Sequence, residues 1–122
     1  MLFPPYFKYL FAQYKQKNQP AYDIHKDVIR YMATMSAQYT NLKVFGFENE
    51  PFTYDVSLYK DIPHYHESIN SLMLHRMANN ENLLTPDNVE SYLAECERQA
   101  AQFDMAAFEQ QFREARAALH KQ

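Results

Sequence analysis

A chain of 122 residues with one glycine, Gly46, has few ways of turning sharply. Glycine takes left-handed backbone at no steric cost, so tight hairpins and phosphate-cradling loops draw on it. The dinucleotide fingerprint and the P-loop each need several glycines in one short stretch, and neither can be written here. A turn-rich all-β fold is disfavoured for the same reason. Helices joined through Pro, Asn and Asp are what such a composition permits.

Apolar spacing points the same way. After Pro4-Pro5, Tyr6, Phe7, Leu10, Phe11 and Tyr14 recur at helical intervals, which predicts a first helix fading by Gln16 to Asn18. A second is expected from Pro20 to about Asn41, with Asp23 in its first turn. Its expected buried stripe is Ile24, Val28, Met32, Met35 and Tyr39, with Tyr31 beside it. A third should start at Asp61-Ile62-Pro63, with Asp61 as N-cap, and stop at Asn79-Asn80. Thr85-Pro86-Asp87 reads as the start of a fourth, whose stripe is Val89, Leu93, Cys96, Ala100 and Phe103. A further stripe, Met105, Phe108, Phe112, Ala115 and Leu119, is out of phase with it. Either a break near Asp104 opens a fifth helix, the preferred reading, or one long helix projects from the domain.

Residues 42–60 follow another rhythm. Phe52, Tyr54, Val56 and Leu58 alternate with Thr53, Asp55 and Ser57, the period of a half-buried strand. Paired with Leu42 to Phe47 they would form a two-stranded hairpin; the alternative is an aromatic-rich loop clamped onto the helices. The expectation is a mainly α protein. It is a compact bundle of four or five helices with an irregular or short β-hairpin insert near residues 42–60, forming one domain over residues 1–122.

Composition supports a packed core: 47% of residues are hydrophobic and 22% charged, close to globular averages. A single cysteine, Cys96, leaves no partner for a disulfide within the chain, and a reducing, cytoplasmic setting is expected. The N-terminus lacks a basic leader and a small-residue cleavage site. No apolar run approaches the roughly 18 residues of a spanning helix, so no membrane is expected as a partner. Residues 1–60 carry seven Lys/Arg against five Asp/Glu, and residues 61–122 five against ten. Neither half has the dense basic patch of a duplex-binding domain.

Several constellations carry side chains capable of chemistry. His64 and His66, with His75 downstream, are the best metal candidates; on a helix the first two would sit about 200° apart, whereas in an extended segment they would point the same way. The zinc-protease helical pattern fails because Asn70 stands four residues after His66. Arg113 and His120, with six residues between them, are a second candidate for hydrolytic or nuclease chemistry; the plainer reading is a pair of cations near a helix C-terminus. Cys96 lies on an apolar stripe and reads as an inert core thiol. No cofactor, metal site or catalytic set is expected.

The aromatic content is more telling. Nine of the ten tyrosines fall within residues 1–65. Tyrosine suits surfaces that are apolar on one side and wet on the other, and interfaces are enriched in it. Tyr6, Phe7, Tyr9, Phe11 and Tyr14 form the candidate interaction surface, the alternative being a bulky core. The leading expectation is a small non-catalytic binding module that meets another protein, or a second copy of itself, through this surface. Two others stand beside it. Lys8, Lys15, Lys17 and Lys26 interleave with tyrosines, as suits single-stranded nucleic acid; the histidines or Arg113 would suit a small hydrolase or nuclease.

Overall fold

The computed structural model describes residues 1–120. The protein is mainly α, with five helices and a few short strands among those residues. In chain order they are β1 (Leu2–Phe3), α1 (Lys8–Lys17), α2 (Gln19–Gln38), β2 (Val44–Gly46), β3 (Tyr59–Asp61), β4 (His64–Tyr65), α3 (Glu67–Ala78), β5 (Leu83–Leu84), α4 (Val89–Gln102) and α5 (Met105–His120). No helix among the described residues is long and apolar enough to cross a membrane.

The stripe Val89, Leu93, Cys96 and Ala100 faces inward, as its spacing predicts, and α4 is the pillar on which α1 and α2 lie. Beneath it β2 sits between β1, parallel, and β5, antiparallel. Val44, Leu84, Phe3 and Ile29 join the α4 stripe in one apolar cluster, while Phe45 and Phe47 pack with Ile69 and Met73 of α3 in another.

Gly46 stands in β2 with ordinary backbone, so its role is space rather than conformation. A Cβ there would lie 2.5 Å from Cζ of Tyr92 on α4. The left-handed positions that glycine usually fills are taken by Asn80 (φ 56°) and Asn82 (φ 63°), which carry the chain from α3 into β5. Asn82 is held there by its side chain, whose amide donates to the Gly46 carbonyl at 3.1 Å and to Glu50 at 2.7 Å.

Four expectations are corrected. First, of the two readings for residues 42–60 the hairpin is set aside and the irregular one holds: β2 pairs with β1 and β5, and residues 51–58 form two 3₁₀ turns (Pro51–Tyr54 and Val56–Leu58). There Thr53, not its aromatic neighbours, is fully buried, its hydroxyl donating to the Glu50 carbonyl at 2.7 Å. Second, Asp61 caps the turn of a small β3–β4 hairpin, accepting from the His64 amide at 3.0 Å; α3 begins six residues later, capped by His66. Third, Thr85–Asn88 is a turn closed by Asn88, which accepts from the Thr85 amide at 2.9 Å, so α4 starts at Val89.

The fourth concerns α2. Its buried residues are Tyr22, Ile29 and Ala33, about 120° around the helix from the centre of the predicted stripe; of that stripe Met32 packs against the core, while Ile24 is 64% exposed. The inward face is a mixture: Lys26 reaches Glu97 of α4 at 2.9 Å and His25 reaches Glu48 at 2.7 Å, while Ala33 is small enough for close approach. Paired polar groups let this face bury where an unpaired set could not.

Between α4 and α5 the chain breaks at Phe103-Asp104. Asp104 caps α5, accepting from the Ala107 amide at 2.9 Å. With no glycine to close α4, Gln16 of α1 does so: its amide donates to the carbonyls of Ala100 and Phe103, each at 2.9 Å.

Candidate docking site

The five aromatic residues expected on the surface divide sharply. Phe7 is 3% exposed and Phe11 is buried, so both belong to the core, and this part of the expected surface is corrected. Phe7 packs near Phe108 at 5.2 Å and Tyr59 at 5.4 Å, and Phe11 stacks on His25 at 5.8 Å. Tyr6 and Tyr9 are half-buried, and Tyr14 is exposed. The bulk of these rings is what turns them inward: α1 lies between α4 and the start of α5, and Phe7 and Phe11 fill the contact.

Tyr9 leads to the site itself. Its ring lies 4.9 Å from Phe108, and its hydroxyl donates to Glu109 at 2.8 Å. That bond, together with burial, raises the pKa of the Tyr9 phenol. These contacts and buried Met105 fasten the first turns of α5 to the body. Beyond them every residue from Gln110 to His120 is exposed, Phe112 at 62% and Leu119 at 70%. An isolated helix of about 12–15 residues is marginal in water, and most helical stability comes from packing an apolar face. Here that face, Phe112-Ala115-Leu119, has no cover within the described chain.

Beside it lies an apolar groove of about 550 Å³. Phe108 and Phe112 form the α5 side, and Val56, Tyr59 and Ile62 the side opposite, with buried Phe7 between. The far wall is fixed by two bonds to the N-terminal segment. The Phe7 amide donates to the Ile62 carbonyl at 3.1 Å, and the Tyr59 hydroxyl to the Pro5 carbonyl at 2.6 Å. Lys60, Asp61, Glu109 and Arg113 rim the groove. Nothing in the sequence linked Val56 and Ile62 to α5; the alternation of residues 52–58 and the out-of-phase stripe of α5 were the only traces.

A second concavity, about 590 Å³, is lined by Asn80, Asn82, Asn88 and Glu95 among others. Three of its asparagines are engaged, Asn80 accepting from Lys43, Asn82 bonding Gly46 and Glu50, and Asn88 bonding Thr85 and Leu83, while Asn49, also in the lining, buries its Oδ1 without a hydrogen-bond partner.

Inside the body is a polar cluster that the sequence did not single out. Lys8, 1% exposed, donates to the Glu48 carbonyl, and its ammonium lies 5.6 Å from the Phe11 ring and 5.4 Å from the Tyr54 ring. Burial lowers its pKa. The Glu48 carboxylate meets His25 at 2.7 Å, and the Glu48 amide donates to the Tyr92 hydroxyl at 3.1 Å. For His25, burial works against the charged ring, but the hydrogen bond and charge of Glu48 outweigh it and raise the pKa. Burial, with Glu48 nearby, pushes the Cys96 thiol up to about 12, which leaves it protonated and unreactive. With Lys8 and Cys96 buried, the cluster ties α1, α2, the segment after β2 and α4 together.

The histidine candidates fall in β4, at the cap of α3 and in its last turn. His64 bonds Asp61 at 2.5 Å, His66 caps α3, and His75 is exposed further along that helix. Among the described residues no group of three His, Cys, Asp or Glu side chains is placed to hold a metal ion. Arg113 bonds Gln110 at 2.9 Å and His120 is exposed near the end of α5.

Fold and site together define a small mainly α domain that carries an uncovered apolar helix beside an apolar groove. Comparison with protein-family models, with curated proteins and with solved structures finds no match to this chain.

Proposed function

We propose that this protein is a non-catalytic binding module, acting as a subunit, adaptor, chaperone or inhibitor through protein–protein contact. We place its docking face on α5 and the adjoining groove. The observation that carries the reading is the run Gln110–His120, helical and exposed at every position, with Phe112 and Leu119 on one stripe. Exposed apolar surface of this kind, rimmed by charge, is typical of interaction sites. The N-terminal aromatic residues serve the face from beneath: Phe7 backs the groove and Tyr9 anchors α5. The lone, buried thiol of Cys96 suits the cytoplasmic setting that forms part of this proposal.

The single-stranded nucleic-acid reading is less well supported. Of the lysines behind it, Lys8 is buried, and Lys15 and Lys26 pair with Glu97 at 3.0 and 2.9 Å. The hydrolase reading is less well supported, because its histidines belong to no group of three metal-ligating side chains among the described residues.

The test is affinity capture from the native host with wild-type protein, Phe112→Ser and Val56→Ser. Both substitutions are at exposed positions and should leave folding intact. Proteins held by the wild type and lost by both variants are the expected result. Equal capture by all three would overturn the assignment of the face.

A further inference from the structure

We propose that the occupant of this face is a second copy of the same chain, with the two α5 helices packed antiparallel about a twofold axis. The inference rests on the docking reading above and adds the partner. Phe108, Phe112, Ala115 and Leu119 are spaced four, three and four, the interval of a coiled-coil seam. On one flank of that seam stand Glu109 and Arg116; on the other stand Gln111 and Ala118, both uncharged.

The direction of pairing follows from these flanks. Laid antiparallel, Phe112 meets Ala115 of the second copy, a large side chain on a small one, and Phe108 meets Leu119. In that register Glu109 of each chain comes beside Arg116 of the other, so the charges complement twice. Laid parallel, Phe112 would face Phe112, and Glu109 would come toward Asp104 of the second copy, a like-charge contact. The antiparallel arrangement is isologous, so it closes at two chains and leaves no sticky end.

The groove completes the surface. A short two-helix seam is small beside the roughly 1,200–2,000 Å² that a stable interface buries. The apolar walls at Val56 and Ile62 lie next to α5, where the incoming helix would pass. Each chain thus offers both an unpacked helix and an apolar recess. The Tyr9 hydroxyl already engages one oxygen of Glu109 in the single chain, which orients the carboxylate and leaves its second oxygen for Arg116 of the second copy.

Sedimentation velocity on the full chain over a concentration series tests this, with circular dichroism on every variant to confirm folding. The expected wild-type mass is twice the 14.5 kDa of one chain. Phe112→Ser should shift the protein to a single chain. Arg116→Glu should weaken association at least tenfold, and weaken it less in high salt, where charge is screened. Combining Arg116→Glu with Glu109→Arg should restore it in part, because the two charges then exchange places while the bond from Tyr9 to Glu109 is lost.

A single-chain mass for the wild type at every concentration would overturn the proposal. So would a dimer that survives Phe112→Ser and Arg116→Glu, since it must then form elsewhere, for instance on the exposed Ile24-Val28-Tyr31 face of α2. Binding of an environment-sensitive apolar dye separates the two levels. A single-chain protein whose dye binding falls with Phe112→Ser keeps the docking face and loses only its occupant. One whose dye binding is unchanged loses the docking face as well.

Discussion

Gly46 and Tyr92 are a matched pair. The ring of Tyr92 presses on the strand where a methyl group would stand, and its hydroxyl is held by the Glu48 amide, so it cannot swing aside freely. Gly46→Ala should therefore destabilise the fold by about 1–3 kcal/mol, the cost of overpacking a buried site. Urea denaturation would read the shift, and an unchanged midpoint would mean the ring has room to move. His25 supports a second prediction. Glu48 raises its pKa above the usual 6.5, so the folded chain holds the proton more tightly than the unfolded one. The pair's contribution to stability is then complete below about pH 6.5 and is lost as pH rises through the folded-state value. Replacing His25 with Gln should flatten the fall in Tm between about pH 6 and pH 8.5. Melting curves of both proteins at the two pH values make the comparison; parallel profiles would remove the role given to Glu48.

Single residues also decide where elements end. A helix stop usually uses glycine in left-handed conformation, and this chain has none to spare. At the end of α3 the solution is local, in Asn80 and Asn82. At the end of α4 it comes from across the fold, with the Gln16 amide on the carbonyls of Ala100 and Phe103. Gln16→Ala should cost about 0.5–1.5 kcal/mol for the lost hydrogen bonding. It should also loosen the joint that sets the direction of α5, seen as faster amide exchange at residues 100–105. Exchange rates equal to wild type would show that Asp104 alone holds the break. The helices α2 and α5 show how element and environment diverge. In α5 the apolar stripe was legible and is correctly placed on one face, yet most of it lies in water. In α2 the apolar stripe points about 120° away from the face that packing buries, and of that stripe Met32 packs against the core. Lys26 and His25 can enter a contact because Glu97 and Glu48 wait for them on other elements, a pairing no local spacing displays.

At the level of the whole molecule, local pattern and long-range pairing contributed different things. The break at Asp104, where Gln16 closes α4 from across the fold, is only one of two readings the stripes allow; the mainly α class and the stripe of α4 follow from periodicity and the shortage of glycine. These are properties of neighbouring residues and need nothing distant to act. The partners of β2, Leu2–Phe3 at one end of the chain and Leu83–Leu84 further on, lie some forty residues away on either side. A two- or three-residue strand carries too little pattern to announce such partners. The proposed docking face is of the same kind. The aromatic richness of the first segment was visible, but its bulk went into the core at Phe7 and Phe11. The exposed surface arose instead where α5 runs past the edge of the body, beside Val56 and Ile62. The sequence alone determined that amphipathic helices would form and roughly where they would stop, because hydrophobic spacing and caps act within a few residues. Only the tertiary structure decided which faces were covered, because burial is settled by what arrives from elsewhere in the chain.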